Sequence, residues 1–98
     1  MTNIESHFLV TGAAGFIGYS IVKKLLKNGK KVVGIDNLNS YYSVSLKNAR
    51  IKDLNHFAKK HNNDWKFINI EINNYLELDK LFANYNFKIL IHLAAQAG

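Results

Sequence analysis

The stretch His7-Phe8-Leu9-Val10-Thr11-Gly12-Ala13-Ala14-Gly15-Phe16-Ile17-Gly18 decides how this chain folds. Phe8 to Val10 reads as a short buried strand. From Phe16 onward the apolar residues take helical spacing, with Ile17, Ile21 and Leu25 beside Val22 and Leu26. Three glycines, each three residues from the next, lie between strand and helix. A strand that turns through glycines into a helix aims unpaired N–H groups, and the positive end of the helix dipole, at one point. That point suits an anion, and a pyrophosphate is its usual occupant. Gly12 can take the unusual dihedrals of the turn, Gly15 lets a phosphate approach the backbone, and Gly18 lets the helix lie close to the strand. Phe16 and Ile17 offer backbone N–H groups at the helix start.

A glycine triplet alone is weak, but the flanking strand and helix are the context it requires. Lys31-Val32-Val33-Gly34-Ile35-Asp36 reads as the next strand, and it ends on an acid 18 residues after Gly18. In a dinucleotide-binding unit such an acid accepts hydrogen bonds from the adenosine ribose hydroxyls, and its charge disfavours a 2′-phosphate. NAD is therefore expected over NADP. The plainer alternative is that Asp36 only opens a polar loop.

The pattern continues outward from this unit. The first strand covers His7 to Thr11, and the first helix runs from Gly15 to Asn28 and stops at Gly29. Asn37 to Tyr42 is a polar loop. A second helix is predicted over Val44 to Lys60, with Leu46, Ala49, Leu54, Phe57 and Ala58 facing inward. Trp65 to Ile70 is the third strand. The third helix starts after Asn74, with Glu77 completing a capping-box pattern, and buries Leu78, Leu81 and Phe82. Lys88 to Leu93 is the fourth strand. Strands alternating with helices imply an α/β fold with a parallel sheet, and right-handed crossovers give the strand order 3-2-1-4. The first two helices then cover one face and the third helix covers the other. The cofactor crevice lies beyond the carboxyl ends of the strands, where the order reverses. Residues 1–98 read as the first half of a Rossmann-like, doubly wound three-layer domain, incomplete at the fourth strand and without a substrate domain.

Composition narrows the function further. The chain carries a formal charge of +6 and no cysteine, which leaves no disulfide framework or thiolate site. Its lysines are scattered along the sequence, among them Lys47 and Lys52, and Arg50 is its single arginine. No basic stripe interleaved with aromatics appears, so no nucleic-acid partner is expected. No apolar run approaches the ~20 residues of a membrane helix. Met1 to His7 lacks a secretory h-region, so a cytoplasmic chain is expected. Tyr19 and Lys23 share a helix face at Tyr-x-x-x-Lys spacing, but beside the phosphate turn they read as a surface pair. His7, His56, His61 and His92 have no ligand spacing, and no metal is expected. Trp65 reads as a packing residue of an edge strand.

Several motifs resemble one family. Thr11-Gly12-Ala13-Ala14-Gly15-Phe16-Ile17-Gly18 is similar to the TGxxGxxG fingerprint of extended short-chain dehydrogenases/reductases, the sugar-nucleotide epimerase and dehydratase group. Asp36-Asn37-Leu38-Asn39-Ser40-Tyr41-Tyr42 resembles the family's second-strand loop, and His92-Leu93-Ala94-Ala95 its HxAA segment. The Asp-Asn-x-Asn-x-Tyr-Tyr run, followed by Ser45-Leu46-Lys47 and Ala49-Arg50, is most similar to UDP-glucuronate 4-epimerases. The resemblance implies that Asp36, Asn37 and Asn39 hold the adenosine ribose, and that Ser40 also lies among the cofactor-binding residues. It places Leu93, Ala94 and Ala95 against the cofactor, and Tyr41 and Tyr42 near the adenosine end or on the second helix. Glu71-Ile72 stands where the family has Asp-Ile or Asp-Leu beside the adenine, one methylene longer at the acid. The implied activity is NAD-dependent 4-epimerisation of a nucleotide sugar in a longer, homodimeric parent. A sugar-nucleotide 4,6-dehydratase, a UDP-glucose 4-epimerase and a non-catalytic NAD-binding domain are the alternatives. The family's catalytic tyrosine, lysine and Ser/Thr lie beyond the fourth strand, so no catalytic residue falls in this stretch and no turnover is expected of it.

Overall fold

A computed structural model describes residues 6–38 and 44–93. The elements are β1 (Ser6–Thr11), α1 (Phe16–Lys27), β2 (Val32–Asp36), α2 (Val44–His61), β3 (Trp65–Asn69), α3 (Tyr75–Asn84) and β4 (Asn86–His92). The four strands pair in parallel in the order β3-β2-β1-β4, as the alternation of strands and helices predicts.

Alternation along the strands builds two cores. Val10 and Val32 face α1 and α2, where they meet Val22, Leu26, Leu54 and Ala58. Leu9, Val33 and Ile35 face the opposite way and meet Ile70 and Leu81. All five residues of β2 are buried, because a central parallel strand is covered on both faces. Gly34 leaves room there for Trp65: an added Cβ would lie 2.6 Å from the indole and 2.7 Å from Ala13 Cβ. The half-buried Trp65 packs against the α1/α2 core, and its Nε1–H donates to Asn55 Oδ1 at 2.7 Å. It is a packing residue, as expected.

The ends of the helices follow local rules. Asn28 caps the C-terminus of α1. The Gly29 N–H donates to Leu26 O at 3.0 Å and the Lys30 N–H to Leu25 O at 3.0 Å, the paired bonds of a Schellman motif. At α3, Asn74 Oδ1 accepts from the Glu77 N–H at 3.2 Å, the cap predicted from sequence.

Some inward assignments do not hold. Ile17 shares the helical spacing of the apolar residues of α1 yet is 60 % exposed, because the buried line of that helix runs through Gly18, Val22 and Leu26. Leu46 is half exposed and Ala49 is exposed. The inward line of α2 passes instead through Lys47, Leu54 and Ala58. Phe82 is half exposed and touches Phe87 edge-on at 5.5 Å, at the rim of the layer that α3 covers. Leu78 is half-buried and Leu81 is fully inside. Strand β4 begins at Asn86, two residues before the predicted start at Lys88. A register shift pairs His7 with Phe87 and Phe8 with Ile89, passing over Lys88. Its outer edge has no partner strand among the described residues, and Ile89 and Leu90 are exposed.

A polar clasp joins α1 to α2. Tyr19 Oη donates to Asp53 Oδ2, and Lys23 Nζ donates to the same oxygen at 2.9 Å. The tyrosine and lysine bonds hold the Asp53 carboxyl below the usual carboxylate range. The Asp53 bond raises the Lys23 ammonium. A depressed carboxyl stabilises the fold above its unfolded value and loses that contribution as pH falls toward the folded one. A raised lysine contributes fully below its unfolded value and loses it as pH climbs through the folded one. The pair is partly solvated, so the contribution is about 0.5 kcal/mol. Urea unfolding should show Asp53→Asn less stable than wild type at pH 7. The gap should narrow as pH drops below about 4, the ordinary carboxylate value. A gap that stays constant with pH would contradict this reading.

Candidate functional site

The carboxyl ends of all four strands lie along one edge of the sheet, at Thr11, Asp36, Asn69 and His92. The glycine turn sits at the middle of that edge. Gly12 has φ +70°, a left-handed conformation that favours glycine. Its carbonyl accepts from the Gly15 N–H at 3.0 Å, and the Ala13 N–H donates to Ile35 O at 3.1 Å. Gly15 then caps α1 in an extended conformation with no side-chain cap, and the first turn carries no acid. Helix geometry leaves the next three N–H groups, those of Phe16, Ile17 and Gly18, without intrahelical acceptors. They open outward at the positive end of a 12-residue helix.

Contact distances explain why the helix sits so close. A Cβ on Gly18 would lie 2.0 Å from Gly12 O and 2.8 Å from Gly12 C. Only a residue without a side chain fits that approach. A Cβ on Gly15 would meet Gly12 O at 3.2 Å and, among the described residues, nothing else within 4 Å. The outer side of Gly15 is therefore open to an incoming group. An uncapped helix start, an open glycine and three outward donors make a donor set that fits a diphosphate.

Asp36 lies beside the turn and is buried. Its Oδ2 accepts from the Ala14 N–H at 2.9 Å, and its Oδ1 accepts from Lys47 Nζ at 3.0 Å. Lys47 also donates to the Asn37 carbonyl at 3.2 Å. Asn37 and Leu38 follow β2 without regular structure; Asn39, Ser40, Tyr41 and Tyr42 lie outside the described residues. Arg50, one turn along α2 from Lys47, donates from Nη1 to Ala14 O at 3.1 Å, with its guanidinium 5.9 Å from the Phe16 ring. Lys47 and Arg50 stand in the sequence as part of the run that resembles the epimerases, with no role at the site attached to either. The signal was present for Lys47: it falls seven and eleven residues before Leu54 and Ala58, on their helical stripe.

The other sequence candidates spread along the same edge. Leu93 is half-buried against the α1/α2 core, and its N–H donates to Thr11 Oγ1 at 2.9 Å and Thr11 O at 3.2 Å. His92 Nδ1 is 2.7 Å from Thr11 Oγ1, which ties β4 to β1 beside the turn. Ala94 and Ala95 lie outside the described residues. Glu71 is exposed, just past β3 on the far side of Asp36, and Ile72 packs against the α3-side core. Gly12 to Gly18, Asp36, Asn37 and Leu93 thus gather around the turn, while Glu71 and Ile72 mark the outer end of the edge. An open groove lined by Lys66, Ile68, Ile70, Glu77, Lys80 and Leu81 lies elsewhere, on the α3 face of the sheet. Tyr19 and Lys23 are held by Asp53 on the flank of α1. Among the described residues no group of three or more His, Asp or Glu could hold a metal ion, and no helix is long and apolar enough to cross a membrane.

Known proteins carry the same pattern. The family model described as GDP-mannose 4,6 dehydratase matches residues 9–98. A UDP-glucuronate 4-epimerase of Thermodesulfobacterium geofontis is 46% identical over 92 residues, which cover 94% of this chain and 27% of that protein. Among solved structures, a UDP-glucose 4-epimerase of Thermotoga maritima with UDP-glucose is 30% identical at a TM-score of 0.67, over 93% of this chain and 25% of that one. A dTDP-glucose 4,6-dehydratase of Bacillus anthracis in complex with NAD is 25% identical at a TM-score of 0.73, over 95% of this chain and 28% of that one. The chain thus spans about a quarter of the length of these relatives. Nearly its whole length follows the family pattern, from the glycine turn through β4, and the chain belongs to the GDP-mannose 4,6 dehydratase family, within the NAD-dependent sugar-nucleotide epimerases and dehydratases that its motifs resemble.

Proposed function

We propose that residues 1–98 form the NAD-binding portion of a nucleotide-sugar 4-epimerase of the UDP-glucuronate type. The observation that carries this reading is the uncapped start of α1, with its outward N–H groups beside a buried acid at the tip of β2. The 46% identity to a relative named UDP-glucuronate 4-epimerase supports the substrate type.

Within this reading each group has a task. Gly12, Gly15 and Gly18 shape the cradle, and the Phe16, Ile17 and Gly18 N–H groups hold the diphosphate. Asp36, with Asn37 and Asn39, holds the ribose hydroxyls, and Ser40 lies beside them on the cofactor. Leu93, Ala94 and Ala95 flank the cofactor on the β4 side, and Glu71 and Ile72 reach the adenine end. Bound NAD would supply a reversible hydride acceptor for C4 of the sugar. This chain's own residues bind and orient that group; they do not move the substrate's proton. Its one Tyr-x-x-x-Lys pair, Tyr19 and Lys23, is committed to Asp53, so the acid–base work belongs to a longer, homodimeric, cytoplasmic parent that also holds the nucleotide sugar.

A dehydratase is the second reading, favoured by the family model's description and by the dTDP-glucose 4,6-dehydratase neighbour. The test exchanges this chain for the matching segment of the Thermodesulfobacterium geofontis enzyme. The chimera should bind NAD and epimerise UDP-glucuronate, while the 98-residue chain alone should bind NAD weakly and turn nothing over. A folded chimera without NAD, or turnover by the short chain, would contradict the proposal.

A further inference from the structure

Lys47 is the only buried lysine among the described residues. Its side chain is 11% exposed and that of its partner Asp36 7%. Withdrawing an ammonium from water is costly, and an apolar residue of similar volume commonly serves stability as well or better. The site would accept one, because Lys47 continues the buried stripe of Leu54 and Ala58. Stability therefore does not account for a lysine there, whereas its bonds do. Its Nζ reaches Asp36 Oδ1 at 3.0 Å and Asn37 O at 3.2 Å, while the Ala14 N–H holds Asp36 Oδ2 at 2.9 Å. The carboxylate is thereby fixed from two sides, by α2 and by the glycine turn.

We infer that Lys47 is a positioning residue for the nucleoside ribose: it holds the Asp36 carboxylate in place and fixes the direction of its remaining acceptor lone pairs. This rests on the reading that the glycine turn binds NAD. An ionised carboxylate offers about four acceptor positions, and the two protein bonds leave enough for the two hydroxyls of a ribose. Through Asn37 O, Lys47 also ties down the start of the loop that follows β2. Lys47 acts on the ligand through Asp36, so its removal should be felt at the 2′-hydroxyl and not at the diphosphate.

The probes are NAD and its 2′-deoxyadenosine analogue, titrated into the 98-residue chain by NMR, which reads weak affinities. Wild type should prefer NAD by roughly tenfold, the scale of one charge-assisted hydrogen bond. Lys47→Met should erase that preference while changing affinity for the deoxy analogue less than about twofold, and Lys47→Arg should retain most of it. Asp36→Asn should erase it too, and adding Lys47→Met to Asp36→Asn should cost nothing further. A folded Lys47→Met chain that keeps the wild-type preference overturns the role of Lys47 but leaves NAD binding standing. A wild type that binds neither probe, or both equally, overturns the underlying reading and this inference with it. If the Lys47 variants do not fold, the wild-type ammonium resonance of Lys47 decides. It should shift on adding NAD and stay in place with the deoxy analogue; no shift with NAD overturns the role.

Discussion

Gly18→Ala should destabilise the chain by about 2 kcal/mol or more, read as a lower urea midpoint in circular dichroism. In an open helix the same change would stabilise by up to about 1 kcal/mol, since alanine is the better helix former. Here the new methyl would sit 2.0 Å from Gly12 O, well inside contact. The obstacle is backbone, not a side chain that could swing aside. Gly12 is already at φ +70°, and its carbonyl is bonded to the Gly15 N–H, so relief requires moving α1 off the sheet. That would strip contacts from Val22 and Leu26 and displace the three donors at the helix start. A midpoint equal to wild type would mean that the close approach of α1 is not real.

Asp36→Ala is expected to act on stability and binding together. It strands the Lys47 ammonium in a largely buried place and leaves the Ala14 N–H without its acceptor. Removing one partner of a buried pair costs about 3 kcal/mol or more, because the other charge remains. Lys47→Met in the Asp36→Ala background should recover a good part of that loss, since the stranded charge goes too. The ligand effect has its own signature: NAD binding weakens and discrimination against NADP relaxes, as the acceptor for the 2′-hydroxyl is gone. Unchanged stability in Asp36→Ala would show the ion pair to be solvated. An unchanged preference between the two coenzymes would remove Asp36 from the ribose.

Much of the architecture is legible in the sequence because its signals are local. The β1–turn–α1 unit is written in one twelve-residue stretch, and the Asn74 cap needs only Glu77 three residues on. Alternating elements then leave few topologies, and the order β3-β2-β1-β4 is the one they predict. Facing is less legible. Leu46 and Ala49 are apolar and lie on a helix, yet the inward stripe is fixed by which turn of α2 meets Trp65 and the end of β2. Phe82 is exposed because the α3 layer ends near it, a matter of extent and not of polarity. Lys47 falls on the inward stripe by spacing, but a charged side chain reads as surface until the acid eleven residues before it is seen folded against it. Arg50 likewise has a partner, the Ala14 carbonyl, that no sequence spacing reveals.

A single titration tests the central claim, that the first β-to-α turn of this chain is the coenzyme's seat. Backbone amide resonances of the 98-residue chain are followed as NAD is added. Saturable shifts should concentrate at Gly12 to Gly18 and at Asp36 and Asn37. Shifts confined to the α3 groove around Lys66, Glu77 and Lys80, with the turn silent, would contradict it.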